Sequence, residues 1–452
     1  MQKPSIPKGT RDFGPLQMLR RKYLMNIMEG VFRKYGFMPL ETPAMENLDT
    51  LTGKYGDEGD QLLFRVLNSG DFLKDVELKE EISYRSLSNQ IAEKGLRYDL
   101  TVPFARYVVM NRNDITFPFK RYQMQAVWRA DRPQRGRFRE FYQCDADVVG
   151  SNSLLHEAEL VMIYDEVFSK LGIEVEIIIN NRKILQSIAE YAGVSDKITD
   201  VTVVIDKLDK VGWDGVVTEW QSRGISEVGI GKLKEIFSFS GNVNETLTFL
   251  QNTIGFTESG KKGLDELQIV FSFLKSVALQ NKLKLDLTLA RGLSYYTGCI
   301  FEVKANHVNM GSIGGGGRYD DLTGIFGMPG VSGVGISFGL DRIYEVVTEL
   351  NRFPEDDEQF TRVLICCFDQ AAIEFSWPIL LQLRQKEIVA EMFPEAAKMK
   401  KQLSYADAKQ IPYAIIIGET EMQTGNLVLK DLKTGEQQST NLANIINTLQ
   451  KV

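Results

Sequence analysis

Apolar and polar positions alternate with a period of two on both sides of a short segment rich in proline, glycine and arginine. In residues 120–130 the even positions from Tyr122 to Trp128 are apolar and the odd positions are mostly polar, and in residues 138–149 Tyr142, Cys144 and Ala146 share one face. Because successive side chains of a β-strand point to opposite faces, this pattern predicts two half-buried strands that form an antiparallel hairpin. The polar face of the predicted hairpin carries Arg129, Arg139, Phe141, Gln143, Asp145 and Asp147.

Elsewhere the period of the pattern changes along the chain. Residues 16–35 and 156–173 carry apolar side chains at helical spacing, and the isoleucine-rich residues 174–181 predict a strand. From 182 to 280 the pattern becomes one of short amphipathic helices, which predicts a helical insertion before strands resume. The charged, proline-containing residues 351–360 predict a linker to a small α/β domain.

Composition narrows the possible functions. The 452 residues are 43% hydrophobic and 25% charged, enough for two or three domains, and the net charge of −7 argues against non-specific binding to nucleic acid or anionic membranes. Four cysteines and two histidines lack disulfide or metal-ligand spacing, so we expect neither a metal site nor a histidine-based triad. The N-terminus lacks a signal-peptide layout and no apolar run is long enough for a membrane span, so we expect a cytoplasmic protein.

The charges of the predicted hairpin leave two interpretations open. A hairpin with a charged tip is usually a solvated structural element. Here, however, five arginines lie within residues 129–139 and are followed at once by Asp145 and Asp147, in an acidic chain. Guanidinium groups fork onto phosphate or carboxylate oxygens, whereas carboxylates attract cations. The face therefore fits one ligand with an anionic and a cationic end, such as a zwitterion joined to a phosphate.

Three further segments carry candidate site residues, each with a structural alternative. Asp99 and Thr101 have the spacing of one face of a strand that Pro103 ends. The run Gly314–Gly317 permits close approach to a ligand, or forms a flexible loop. A glycine-spaced strand at 333–339 is predicted to enter a helix. The remaining candidates in these segments are Arg291, Tyr295, Tyr296, Asp341 and Arg342.

Together these segments resemble the histidyl-tRNA synthetase family, within the class II aminoacyl-tRNA synthetases, over nearly the whole chain. "KGTRDFGP" is similar to an N-terminal signature of the family, and "FMPLETPAME", "WRADRPQRGRFREFYQCDAD" and "GVGISFGLDRI" to class II motifs 1, 2 and 3. "RGLSYYTG" and "SIGGGGRYDDL" are similar to the two histidine-specific motifs. The resemblance implies an α+β catalytic domain with an antiparallel six-stranded sheet flanked by helices, a helical insertion and a C-terminal α/β anticodon-binding domain. The implied domains are 1–181 and 281–350 for the catalytic core, 182–280 for the insertion and 361–452 for the anticodon-binding domain.

The resemblance also implies a reaction and the residues that perform it. L-Histidine would react with ATP, accompanied by Mg²⁺, and then pass to the 3′-terminal ribose of tRNA(His) on a homodimeric enzyme. The implied catalytic residues are Arg129 and Arg291, on opposite sides of the α-phosphate. The implied ATP-binding residues are Arg129, Asp131, Arg137, Phe141 and Arg342. The implied histidine-binding residues are Asp99, Thr101 and Gln143 for the ammonium group, Asp147 and Tyr296 for the imidazole, and Arg291 and Tyr295 beside them. Gln134 and Arg139 of the loop are expected near the tRNA acceptor end.

Two departures from the family pattern and two alternatives accompany this prediction. Asp131 stands where motif 2 usually has glutamate, and Asp99 and Asp147 stand where some members have glutamate, so each side chain reaches one methylene less far. A non-catalytic histidine-binding regulatory paralogue typically loses the anticodon-binding domain and the ATP arginines, which this chain keeps. A class II enzyme for another amino acid would lack "RGLSYYTG".

Overall fold

The computed structural model describes residues 3–53, 60–74, 76, 83–290, 295–354 and 361–450, the side chains of 84 and 85 excepted. The chain divides into two compact units, Met1–Phe353 and Pro354–Val452. The strands of the first unit are β1 Met38–Pro39, β2 Met45–Asn47, β3 Arg65–Val66, β4 Lys94–Leu96, β5 Phe119–Trp128, β6 Glu140–Val149, β7 Val175–Asn181, β8 Lys282–Leu285, β9 Cys299–Ala305, β10 Gly314–Tyr319 and β11 Gly333–Gly339. Its helices are α1 Pro15–Lys34, α2 Leu48–Leu51, α3 Tyr84–Ile91, α4 Thr101–Met110, α5 Leu155–Lys170, α6 Arg182–Tyr191, α7 Ile198–Ile205, α8 Leu208–Ser222, α9 Glu227–Phe237, α10 Val243–Ile254, α11 Glu258–Leu274 and α12 Leu340–Glu349.

Eight strands of the first unit form one twisted sheet in the order β1-β5-β6-β11-β10-β9-β7-β8. Its six inner strands pair antiparallel throughout, which confirms the predicted antiparallel sheet. At the two edges β1 pairs parallel with β5 and β8 pairs parallel with β7, so the complete sheet is mixed. These edge strands have only two and four residues, and their pairing was not predicted.

The predicted hairpin is confirmed as β5 and β6, with Gln125 opposite Gln143 and Arg121 opposite Asp147. On the other side of β6, strand β11 places Ser337 opposite Asp145. The polar face of the hairpin therefore continues across the centre of the sheet.

Helices α1 and α5 cover the apolar face of the sheet. Phe338 of β11 contacts Phe32 of α1 and Tyr164 of α5, with ring centroids 5.8 Å and 4.8 Å away. Leu24 and Met28 are fully buried in the same core. Because side chains alternate along β11, the packing of Phe338 on this side turns its neighbour Ser337 towards the opposite, polar face.

One local prediction was wrong, and at a second segment the structure excludes one of two alternatives. Asp99 and Thr101 are not on a strand: Thr101 begins helix α4, and the Asp99 carboxylate accepts a hydrogen bond of 3.1 Å from the Val102 amide. Pro103 lies in the first helical turn, where the missing amide proton of proline costs nothing. Nor is Gly314–Gly317 a flexible loop, because it forms the start of the fully buried central strand β10.

Residues 182–280 contain helices α6–α11 and no strand, and the preceding strand β7 ends at Asn181. Their buried side chains belong to the same hydrophobic cluster as the sheet, so the separation of this segment as a domain stays a prediction. Within the described residues, no helix combines the length and the apolar character that a bilayer span requires.

The second unit contains a five-stranded mixed sheet, whose strands lie in the order Ala390–Met392 (β13), Val363–Cys367 (β12), Tyr413–Ile417 (β14), Leu427–Asp431 (β15) and Gln437–Thr440 (β16). Strands β12, β13 and β14 run parallel, and β14, β15 and β16 run antiparallel. Its elements are β12 Val363–Cys367, α13 Gln370–Gln385, β13 Ala390–Met392, α14 Met399–Ala408, β14 Tyr413–Ile417, α15 Glu419–Thr424, β15 Leu427–Asp431, β16 Gln437–Thr440 and α16 Leu442–Gln450.

Candidate active site

A cleft opens on the polar face of the sheet, over β6, β10 and β11. The candidate residues that line it are Asp99, Thr101, Arg129, Asp131, Arg137, Phe141, Gln143, Tyr295, Tyr296 and Arg342. A smaller recess shares Thr101, Tyr295 and Tyr296 with the cleft and reaches Asp147. Arg291, the remaining candidate, lies outside the described residues. Segments far apart in the sequence therefore meet in one site.

Arg129 lies between the two halves of the cleft. Its Nε donates to the Tyr98 carbonyl at 3.0 Å, and its guanidinium lies 4.2 Å from the centre of the Tyr98 ring and 5.2 Å from that of Phe141. The Nη2 atom is 3.5 Å from the side-chain oxygen of Gln143, which itself donates to Ser337 at 2.8 Å. These contacts fix the guanidinium plane, so it can present an oriented fork to an anion.

Cationic groups line one end of the cleft. Arg342, in the first turn of α12, donates from Nε to the carbonyl of Gly136 at 3.0 Å and from Nη1 to the carbonyl of Ser312 at 2.6 Å. Arg137 is about half exposed on the hairpin loop, and its Nε lies 3.8 Å from an oxygen of Asp131. Asp131, although it is shorter than the glutamate usual at this position, therefore still reaches an arginine of the loop.

The loop also contains the two residues predicted near the tRNA acceptor end. Gln134 is exposed at the tip, where its backbone amide donates to the backbone carbonyl of Arg137 at 3.1 Å. Arg139 donates from Nε to the Asp131 carbonyl at 3.2 Å, and its backbone amide donates to Gly9 at 2.8 Å.

The other end of the cleft is acidic and buried. Asp145 and Asp147 are each 2% exposed on neighbouring polar positions of β6. The fully buried Arg121 lies 3.0 Å from Oδ2 of Asp147, and the Tyr319 hydroxyl donates to Oδ1 of Asp147 at 2.6 Å. Asp99 and Asp147 both raise the pKa of Asp145, and Arg121 lowers it, so this acidic end favours a cationic ligand.

The buried surroundings of Asp145 raise the pKa of its carboxyl group. Burial raises the pKa of its carboxyl to about 7, with further raising contributions from Asp147 and Asp99, while Arg121 lowers it. Burial also raises the pKa of Asp147, and Arg121 and the Tyr319 hydrogen bond oppose that rise. A carboxyl group with a strongly shifted pKa in a cleft is a candidate functional group.

Asp145 was not among the predicted binding residues, although it lines both the cleft and the recess. The signal was present, because the period-two pattern puts Asp145 on the same face as Gln143 and Asp147. Sequence reasoning also missed Arg121 and Tyr319, whose partners lie 26 and 172 positions away in the chain.

A buried ion pair anchors the strand that carries Tyr319. The neighbouring Arg318 donates from Nε and Nη2 to the two oxygens of Glu157 on α5, at 2.5 Å and 2.7 Å. Its Nη1 donates to Ser332 at 2.5 Å, and Glu157 is 0% exposed. A bidentate pair of this kind fixes the orientation of both side chains. It therefore holds the end of β10 that directs Tyr319 towards Asp147.

The β5–β6 hairpin, strand β11 and helix α12 surround a cleft with oriented arginines and, beside it, an acidic recess. This antiparallel core and this site define a class II aminoacyl-tRNA synthetase. Comparison with known proteins agrees: residues 88–343 match the family model of histidyl-tRNA synthetase, and residues 362–452 match that of the anticodon binding domain. The chain belongs to the histidyl-tRNA synthetase family.

Individual relatives match over their full lengths. A histidine–tRNA ligase from Bacteroides fragilis (strain YCH46) is 55% identical over 451 residues, which is 99% of each chain. One from Cytophaga hutchinsonii is 54% identical, covering 99% of this chain and 100% of the relative. The crystal structure of histidyl-tRNA synthetase from Nostoc sp. PCC 7120 has a TM-score of 0.83 and 30% identity, and covers 100% of both chains. The chain is therefore an enzyme of the aminoacyl-tRNA ligase class rather than a non-catalytic regulatory paralogue.

Proposed function

We propose that this enzyme activates L-histidine with ATP to form histidyl-adenylate and pyrophosphate, and then transfers histidine to the 3′-terminal ribose of tRNA(His). The observation that carries the proposal is the division of charge in one cleft. Arg137 and Arg342 lie at one end, the Asp145 and Asp147 carboxyl groups lie at the other, and Arg129 lies between them. An amino acid joined to a nucleotide phosphate has the complementary layout, with its ammonium and phosphate at opposite ends.

In the activation step the histidine carboxylate attacks the α-phosphorus of ATP and pyrophosphate leaves. The attacking carboxylate is already ionised, so the enzyme contributes orientation and charge stabilisation rather than a general base. We assign Arg129 to the α-phosphate and the carboxylate because its plane is fixed by Tyr98 and Phe141. Arg291 is assigned to the opposite side of the phosphate on the family resemblance alone.

For the rest of ATP, we assign adenine to the space between Phe141 and Arg342, where the ring can stack on a guanidinium. Arg137 and Arg342 would contact the γ-phosphate, and Asp131 would face the nucleotide. The support for this is that all four line the same cleft as Arg129.

We assign the acidic recess to the histidine substrate. Asp99, Thr101 and Gln143 would bind the ammonium group, with Asp145 supplying long-range attraction. Asp147 and Tyr296 would bind the imidazole nitrogens, with Tyr295 packed against Tyr296 at 4.8 Å between ring centroids.

The pairing of Asp147 with the imidazole has chemical support in its surroundings. Arg121 and the Tyr319 hydroxyl favour the ionised carboxylate, which accepts a hydrogen bond from a ring N–H. An amino acid that lacks this N–H would leave the buried carboxylate with one hydrogen-bond partner fewer. This loss would discriminate strongly against that amino acid.

We further propose that Mg²⁺ arrives on the ATP phosphates. Among the described residues no group of three or more histidine, cysteine, aspartate or glutamate side chains is arranged to hold a metal ion, and Mg²⁺ favours phosphate oxygens and water.

A homodimer and a cytoplasmic location complete the proposal. Met38 and Met45, in the segment that resembles motif 1, are 60% and 52% exposed, which favours their burial against a second copy. All four cysteines are free and buried thiols, as expected in a reducing compartment. Light scattering coupled to size exclusion tests the dimer.

Histidine-dependent exchange of pyrophosphate into ATP tests the proposed reaction with the purified chain. Exchange with histidine, and not with other amino acids, is the expected result. A folded protein that binds histidine but shows no exchange would instead support the regulatory alternative. Deleting residues 361–452 should spare exchange while lowering the rate of tRNA charging, because those residues match an anticodon binding domain.

A further inference from the structure

An N-terminal strap, defined as residues 7–14, crosses the hairpin loop before helix α1 begins. The strap contacts the loop just before strand β6, where the Gly9 carbonyl accepts a hydrogen bond of 2.8 Å from the backbone amide of Arg139. Gly9 has φ of +88°, and a Cβ there would lie 2.8 Å from the side chain of Arg139 and 2.9 Å from that of Pro133. Both the backbone conformation and this close approach require glycine, so the strap is shaped to fit the loop.

Arg11 is the residue of the strap that connects the hairpin loop to helix α12. Its guanidinium lies over the ring of Phe138, 3.6 Å from the centroid, and pairs with Oδ1 of Asp341. Its other terminal nitrogen is 3.6 Å from Glu345. One side chain thus joins the hairpin loop to the first turns of helix α12.

Asp341 is where several of these contacts meet. Its Oδ1 also accepts from Nη1 of the buried Arg21 at 2.6 Å, and its Oδ2 accepts from the Tyr142 amide at 2.9 Å. Two residues assigned to ATP are sequence neighbours of these contacts: Phe141 is next to Tyr142, and Arg342 is next to Asp341. Because a carboxylate with three donors has little rotational freedom, its neighbours are held as well.

The loop is connected back to the same helix. Arg342 donates from Nε to the carbonyl of Gly136 at the loop tip. The loop therefore lies between two supports, Arg342 on the side of the cleft and the strap on the outside. Replacing Arg11 would weaken the outer support of the loop without removing a side chain that lines the cleft.

We propose that Arg11 is a positioning residue for the ATP half of the reaction. Through Asp341 and Phe138 it holds the hairpin loop and the first turn of α12 in the relative positions that adenine and the phosphates require. The inference rests on the proposed assignment of Phe141 and Arg342 to ATP. Among the described residues, the contacts of Arg11 do not include a residue that lines the acidic recess, so we expect its effect to be confined to ATP.

The test is steady-state pyrophosphate exchange by the full chain with Arg11→Met, varying ATP and histidine separately. We expect KM for ATP to rise about tenfold, equivalent to about 1.4 kcal/mol, while KM for histidine stays within about twofold of its original value. Equal rises in both KM values would show a general structural role and overturn the proposal, as would an unchanged KM for ATP. If Arg11→Met does not fold, Arg11→Lys makes the same test, because it keeps the cation and loses the planar fork.

Two further variants locate the effect. Lys8→Met removes a positive charge from an exposed position of the same strap and should leave both KM values unchanged. In an Asp341→Asn background, Arg11→Met should cost a smaller factor in kcat/KM for ATP than in the original chain, because the two residues act together. The same factor in both backgrounds would contradict action through Asp341. Absence of exchange in the unmodified chain would count against the proposed function and not against the strap.

Discussion

Replacing Asp145 by asparagine should stabilise the fold and weaken the binding of histidine at the same time. The carboxyl of Asp145 has its pKa raised from 3.8 to about 7, chiefly by burial. A raised pKa means that the folded protein holds a proton that the unfolded chain has released between about pH 4 and pH 7. Stability therefore falls as pH rises through that window and is level above it.

The size of the effect follows from the pKa. A difference of about three units, from 3.8 to about 7, corresponds to at most about 4 kcal/mol of unfolding free energy at pH 8. Asparagine is neutral at every pH and does not carry this cost. The variant should therefore be more stable than the original chain at pH 8, and the advantage should shrink towards pH 4. The lost negative charge should raise KM for histidine at pH 8 without changing KM for ATP.

Urea unfolding at pH 5 and pH 8, together with pyrophosphate exchange at pH 8, measures both effects. Asp265→Asn is a matched control, because Asp265 is an exposed carboxylate on helix α11. It should change neither the pH dependence nor KM. If Asp145→Asn were no more stable at pH 8 than the original chain, or if its advantage were the same at both pH values, the electrostatic reasoning would be refuted.

Three other variants test separate parts of the site. Arg129→Lys keeps the charge but loses the fork and the ring stacking, so the exchange rate should fall at least about tenfold with unfolding unchanged; a rate within about twofold would contradict this. Tyr319→Phe removes the donor to Asp147 and should raise KM for histidine, but not for ATP, by up to about tenfold. Glu157→Gln breaks the buried pair with Arg318 and should cost about 3–5 kcal/mol in urea unfolding, a loss that a surface pair would not produce.

The hairpin shows how far the sequence alone determines the site. Alternation over two strands, although Val127 and Phe141 interrupt it, was enough to predict which side chains share a face, because strand geometry is local. The prediction failed at Asp99 and Thr101, where two residues are too few to distinguish strand from helix and proline fits the first helical turn. Local pattern left two alternatives open at Gly314–Gly317, since only the neighbouring strands make that segment part of a sheet.

The charge balance of the recess was beyond local pattern for a different reason. Arg121 pairs with Asp147 and Tyr319 donates a hydrogen bond to it, in both cases from another strand. The residues next to Asp147 in the sequence predict neither the strand register nor the burial on which these contacts depend. The shifted pKa of Asp145 depends on the same three-dimensional neighbours. These properties required the assembled sheet.

The wall of the acidic recess is made partly of main chain, and this limits how the specificity proposed for it can change. Gly335 of β11 lies directly opposite Asp147, and a Cβ at that position would overlap the Asp147 carboxylate. Next to it, β10 contributes the main chain of Gly315 and Gly316 to the same recess. A larger amino acid cannot be accommodated by trimming these residues, since they have no side chain to trim. Laboratory evolution towards a new substrate would have to work through the few remaining polar side chains or move whole strands.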